Sequence, residues 1–237
     1  MMYFDPLYLV FAIPGLLLGL YAQFKLSSTY GKYMRVPAES GLSGAQAARR
    51  ILDDAGLNDV PVAEISGNLT DHYDPRKRAL FLSSQNFNER SLSAVGVAAH
   101  EAGHALQQQV GYAPLNFRMA IVPVTNFASM ASYFILAGSV MLHYFIGFSG
   151  SLFSHLLTLG IILFAIVALF QAITLPVEFD ASRRAKEQLF RLGIVSGSER
   201  TAVSHVLSAA AMTYVAAMIT ALMQLLYWIS VASRERR

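Results

Sequence analysis

The sequence predicts a mainly α-helical, polytopic membrane protein: four transmembrane helices plus a small α+β domain that carries an HExxH helix. Three observations lead there. Of 237 residues, 54% are hydrophobic and only 14% charged, against about 25% charged in ordinary soluble domains. The apolar residues gather into four runs, each close to or above the about 20 residues that a bilayer crossing needs. Between the first two runs lies a polar segment containing His100-Glu101-Ala102-Gly103-His104. Composition also excludes several classes. With no cysteine, disulfides, thiolate-held metals and thiol catalysis are ruled out. The net charge is only +3, and the basic residues form no aromatic-studded stripe, so no nucleic-acid partner is expected.

The runs cover residues 6–24, 119–148, 152–175 and 206–231. Asp5 precedes the first and Lys25 follows it, with no basic start and no small-residue cleavage site, so residues 1–24 read as a retained anchor. Gly147, Ser149 and Gly150 separate the second and third runs, which makes residues 119–175 a transmembrane hairpin. Four crossings put residues 25–118 and 176–205 on one face, and the termini and hairpin turn on the other. The shared face carries 15 of the 18 Lys and Arg residues, which predicts that it is cytoplasmic; Arg234, Arg236 and Arg237, in the basic tail of the last segment, 206–237, dissent. The expected setting is the cell membrane, with the lipid bilayer as a partner.

Within residues 25–118, Ser43 predicts a capped helix over 44–55 closed by Gly56. The pieces 60–65 and 79–83 are β-prone and separated by Gly67, Asn68, Asp74 and Pro75, predicting a small antiparallel sheet. From Ser91 to Gln109 the pattern is helical and Ala-rich, closed by Gly111.

That last helix holds the chemistry. Positions four apart on a helix differ by about 40° around its axis, so His100 and His104 face one side and can grip a single ion. Glu101 sits on an adjoining face, where it can take a proton from attacking water without occupying the metal. The pattern arises by accident in this composition with a chance of roughly 0.005, and its Ala, Val and Gly surroundings would penalise an unpaired buried charge. Zinc is the expected cofactor. Zinc hydrolases keep three protein ligands and one open position, so a further ligand is needed on the same face. Glu178 and Asp180 follow Pro176 in segment 176–205, ahead of an amphipathic helical stretch. Glu178 is favoured as the ligand, and Asp180 as a helix-start charge or partner of Arg183 and Arg184.

Together with the HExxH helix, the stretches 69–76, 175–185 and 209–217 resemble the YugP-type zinc-dependent membrane peptidases of bacteria over nearly the whole chain. The chain is similar, more distantly, to HtpX-like and CAAX-prenyl membrane proteases. The resemblance implies a zincin-like cytoplasmic domain of gluzincin type, with His100, His104 and Glu178 as metal ligands and Glu101 as general base. Those relatives usually carry an Asp four residues past the ligand Glu, where this chain has Ser182.

His72, in a turn near the sheet, and Tyr214 or His205, on the fourth helix, are candidates to stabilise an oxyanion. The expected activity is that of a metalloendopeptidase acting on protein or peptide substrates near the membrane, with a substrate strand added along the edge near Ala79–Ser83. The competing reading is a non-catalytic scaffold whose zinc is closed by a fourth ligand such as His72 or Asp180. Small residues at Ala209–Ala211, Ala216 and Ala217 permit close helix contacts, compatible with a homo-oligomer or a regulatory membrane partner.

Overall fold

The computed structural model describes residues 5–235, so the first four residues of the anchor and Arg236 and Arg237 of the basic tail lie outside it. The chain is mainly helical. In order it forms α1 (Pro6–Met34), α2 (Gly44–Asp54), β1 (Val62–Ile65), β2 (His72–Asp74), β3 (Ala79–Ser83), α3 (Ser84–Asn88), α4 (Leu92–Gln109), α5 (Ala113–Ile146), α6 (Ser151–Arg191) and α7 (Glu199–Glu235). Among the described residues, α1, α5, α6 and α7 are long and apolar enough to cross a bilayer. Contacts divide the chain into two units. One comprises the described parts of Met1–Tyr21, Phe117–Leu175 and Tyr214–Arg237, the other Ala22–Asn116 and Pro176–Thr213.

The first unit has the surface of a lipid-facing bundle, with Leu16, Leu20, Tyr133, Phe134 and Phe145 exposed. Its helices approach closely where side chains are small: a Cβ on Gly15 would stand 2.8 Å from Thr220 Oγ1. The hairpin turn uses Gly147 and Gly150, both at positive φ. His143 caps it, with Nδ1 3.0 Å from the Phe148 carbonyl and its ring stacked on Phe153.

The second unit holds a true hydrophobic core, built from Ile51 and Leu52 of α2, Leu80 and Leu82 of β3, Val95, Ala98 and Ala102 of α4, and Leu189 of α6. Ser43 caps α2 in a reciprocal capping box with Gln46, and Ser91 caps α4 through Ala94 N–H at 3.2 Å.

The sheet differs from the expected antiparallel pair. Its order is β1-β3-β2, with β1 and β3 parallel and β2 antiparallel to β3. The chain between β1 and β3 is too long for a hairpin and instead makes β2, then reverses through a turn ending at Arg78, at φ 49°. That places β1 on the other side of β3, which is why Ala79–Ser83 is buried almost throughout and reads as a continuous apolar run. Ala79–Ser83 is therefore the central strand, and no substrate can add to an edge there; the open edges belong to β1 and β2. The sequence reading also places no element where α3 stands.

A second correction concerns Pro176. It lies inside α6, which runs unbroken from Ser151 to Arg191, so Glu178 and Asp180 sit within a helix and do not precede one. Proline withholds one hydrogen bond but need not end a long apolar helix whose neighbours supply replacement partners.

Candidate metal centre

Helix α4 presents His100 and His104 one turn apart, their ring centres 4.8 Å from each other. Helix α6 brings Glu178 against both. Its Oε2 lies 3.2 Å from His100 Nε2 and 3.5 Å from His104 Nε2. Among the described residues these three form the one cluster of metal-ligating side chains, with a ligand atom from each inside 4.8 Å of the others. The separations fit a shared ion: with ligand bonds of about 2.0–2.1 Å, two ligands of a tetrahedral zinc stand about 3.3 Å apart. Glu178 is only 2% exposed, whereas the imidazoles are 13% and 11% exposed, so the carboxylate lies deeper than the rings that flank it.

The charges also suit a cation. Glu178 lies three residues beyond the apolar run 152–175. Burial works against its ionisation, but the hydrogen bonds from His100 and His104 prevail and hold its carboxyl well below the usual carboxylate range. Burial likewise opposes charge on His104, and the Glu178 hydrogen bond overcomes it and raises the imidazole. A buried carboxylate that needs two imidazoles for compensation is a donor set ready for a divalent ion.

Comparison with known proteins supplies the family. Residues 8–233 match the sequence profile of the family described as "Putative neutral zinc metallopeptidase". The chain belongs to this zinc metallopeptidase family. It is 48% identical over 225 residues to the "Putative membrane protease YugP" of Bacillus subtilis (strain 168), covering 95% of this chain and 96% of that protein. No solved structure matches. Membership of the family implies zinc for the cluster.

Around the cluster, each candidate from the sequence has a definite place. Glu101 is 8% exposed and outside the three-residue cluster, its Oε2 accepting the Tyr73 backbone N–H at 3.0 Å. Tyr73 is itself anchored by its hydroxyl to Gln108 Oε1 at 2.5 Å. Ser182, where an aspartate is usual in the more distant proteases, places Oγ 3.1 Å from His100 Nδ1 and so occupies the outer position itself. Asp180 pairs with Arg183 and, at 2.6 Å, with Arg184. His72 lies on β2, exposed, with Nδ1 2.9 Å from the Thr70 carbonyl and its ring stacked on Phe81. His205 Nδ1 meets the Tyr33 hydroxyl at 3.2 Å. Tyr214 is half-buried on α7 and belongs to the other unit.

Gln107 is not among the candidates that the sequence offers. It is fully buried with Oε1 3.0 Å from His104 Nδ1. Its spacing, three residues after His104, is the signal that could have found it.

Gly103 decides whether α6 can deliver its glutamate. A Cβ there would stand 2.5 Å from the Ala181 carbonyl oxygen and 3.1 Å from its carbon. Those are backbone atoms of α6, unable to rotate away. Gly103→Ala is expected to force the helices apart, destabilise the second unit by about 1–3 kcal/mol and weaken zinc retention. Zinc content and thermal unfolding measured on the same preparation check this; wild-type values for both would refute it.

Proposed function

We propose that this protein is a membrane-integrated zinc metalloendopeptidase of the gluzincin type, with a zincin-like domain on the cytoplasmic side, that hydrolyses peptide bonds of membrane or membrane-proximal proteins. The observation that carries the reading is the meeting of Glu178 with His100 and His104, while Glu101 stays next to them and outside the cluster. His100, His104 and Glu178 would hold the zinc. Bound there, zinc supplies Lewis acidity that acidifies water toward neutral pH and polarises a carbonyl.

The chain's own residues do the rest. Glu101 takes a proton from the attacking water and passes it to the leaving amine. The Tyr73 N–H on Oε2 anchors the carboxylate that does this. His72 stands as a candidate to support the developing oxyanion. The basic residues gathered on segments 25–118 and 176–205 favour the cytoplasmic side.

A scaffold closed by a fourth side chain finds less support. His72 lies exposed on β2 and Asp180 is paired with two arginines, and neither belongs to the cluster of His100, His104 and Glu178. The test is metal analysis of full-length protein purified in detergent without chelators, combined with cleavage of a membrane-anchored reporter peptide. One zinc per chain is expected, with cleavage abolished by a chelator and restored by zinc. Protein free of stoichiometric transition metal would refute the reading, and loaded protein that cleaves nothing would leave the scaffold in its place.

A further inference from the structure

We propose that Gln107 is the positioning residue of this centre: its side-chain amide, oriented by the helix that carries Glu178, sets His104 in the tautomer whose Nε2 is the ligand atom. The inference rests on the metal-site reading above and deepens it.

The argument is one of donors and acceptors. Gln107 Nε2 lies 2.7 Å from the Val177 carbonyl and 3.0 Å from Asp180 Oδ2. Neither partner can donate, since one is a backbone carbonyl and the other a carboxylate paired with Arg183 and Arg184. Turning the amide over would set its oxygen against two acceptors in a fully buried position. The NH2 group therefore faces α6, and Oε1 faces His104 Nδ1 at 3.0 Å. An amide oxygen only accepts, so Nδ1 carries the hydrogen. Nε2, the atom 3.5 Å from Glu178 Oε2, is then the one that sheds its hydrogen to offer a lone pair when the neutral imidazole binds a metal.

His100 is held differently. Its Nδ1 meets the Ser182 hydroxyl, which both donates and accepts and so does not select a tautomer by itself. Selection at His104 comes from a chain that runs from Arg183 and Arg184 through Asp180 to Gln107. The same amide grips Val177, one residue before Glu178. One side chain thus sets the ring of one ligand and the placement of another. Gln109, in contrast, ties α4 to the Ala55 carbonyl at 2.6 Å, away from the ligands.

The experiment uses full-length protein in detergent and three measurements: zinc affinity by chelator competition, nitrogen-15 spectra of labelled histidine in the zinc-loaded wild type, and the visible spectrum of the cobalt(II) form. Wild-type His104 is expected to bind through Nε2 with its Nδ1 proton retained. Gln107→Met, similar in length but unable to hydrogen-bond, is expected to bind zinc about 10–100-fold more weakly and to shift the cobalt bands, while Gln109→Met keeps wild-type affinity. Ligation of wild-type His104 through Nδ1 overturns the proposal even if Gln107→Met does not fold. Unchanged affinity in Gln107→Met, with zinc firmly bound to wild type, overturns it alone. A wild type that binds no zinc overturns the metal site and this inference together.

Discussion

Glu101→Gln is expected to keep one zinc per chain while lowering the rate of peptide cleavage by about 10²–10⁴-fold, the range attributed to a positioned acid–base group. The separation of the two effects follows from the geometry. Glu101 is absent from the cluster of His100, His104 and Glu178, so the amide disturbs no ligand. Its carboxylate touches the Tyr73 N–H, and a glutamine oxygen can accept that same bond. Shape and anchoring are therefore retained, and only the ability to carry a proton is lost. Metal analysis beside a cleavage assay reads both. Cleavage that survives in the metal-loaded variant would remove Glu101 from the base role.

Glu178→Ala is expected to abolish zinc retention and activity together. The substitution removes the buried carboxylate that brings negative charge to the cluster and leaves two imidazoles, a donor set short of the three that zinc enzymes use. The loss of affinity should exceed the about 10–100-fold attached to outer hydrogen bonds, and hence exceed that of Gln107→Met. Alanine is also a good helix former, so α6 should persist. Chelator competition and circular dichroism on the same sample test this: retained stoichiometric zinc with an intact helix signal would show that Glu178 is not a ligand.

These two carboxylates were legible in the sequence for different reasons. Glu101 belongs to a local pattern, and helical spacing alone turns His100 and His104 to one side. Glu178 lies 74 positions beyond His104; its candidacy came from its place after an apolar run and from resemblance, not from spacing. Ser43 announced its helix because capping is settled by the capping residue and its next turn, whereas the helix from Ser91 was legible from its pattern and its cap appears in the structure. The sheet was misread because pairing direction is nonlocal. Strand β2 has one apolar residue, Tyr73, and three residues in all, so nothing in its pattern showed that it would take one side of β3 and push β1 to the other. Pro176 was read as a boundary because its local effect is to withhold a hydrogen bond, and the helix continued through it all the same.

The amino-acid sequence by itself determined the four apolar spans, the capped helices and the pair of imidazoles, all consequences of composition and short-range periodicity. Only the tertiary structure decided that Gly103 lets the Ala181 backbone close in, that Ser182 and Gln107 stand behind the two histidines, and that β2 presents an amide to Glu101. The physical reason is that a hydrogen-bond partner or a close backbone approach depends on which distant segments pack together, and the periodicity of one segment does not encode the identity of its neighbour.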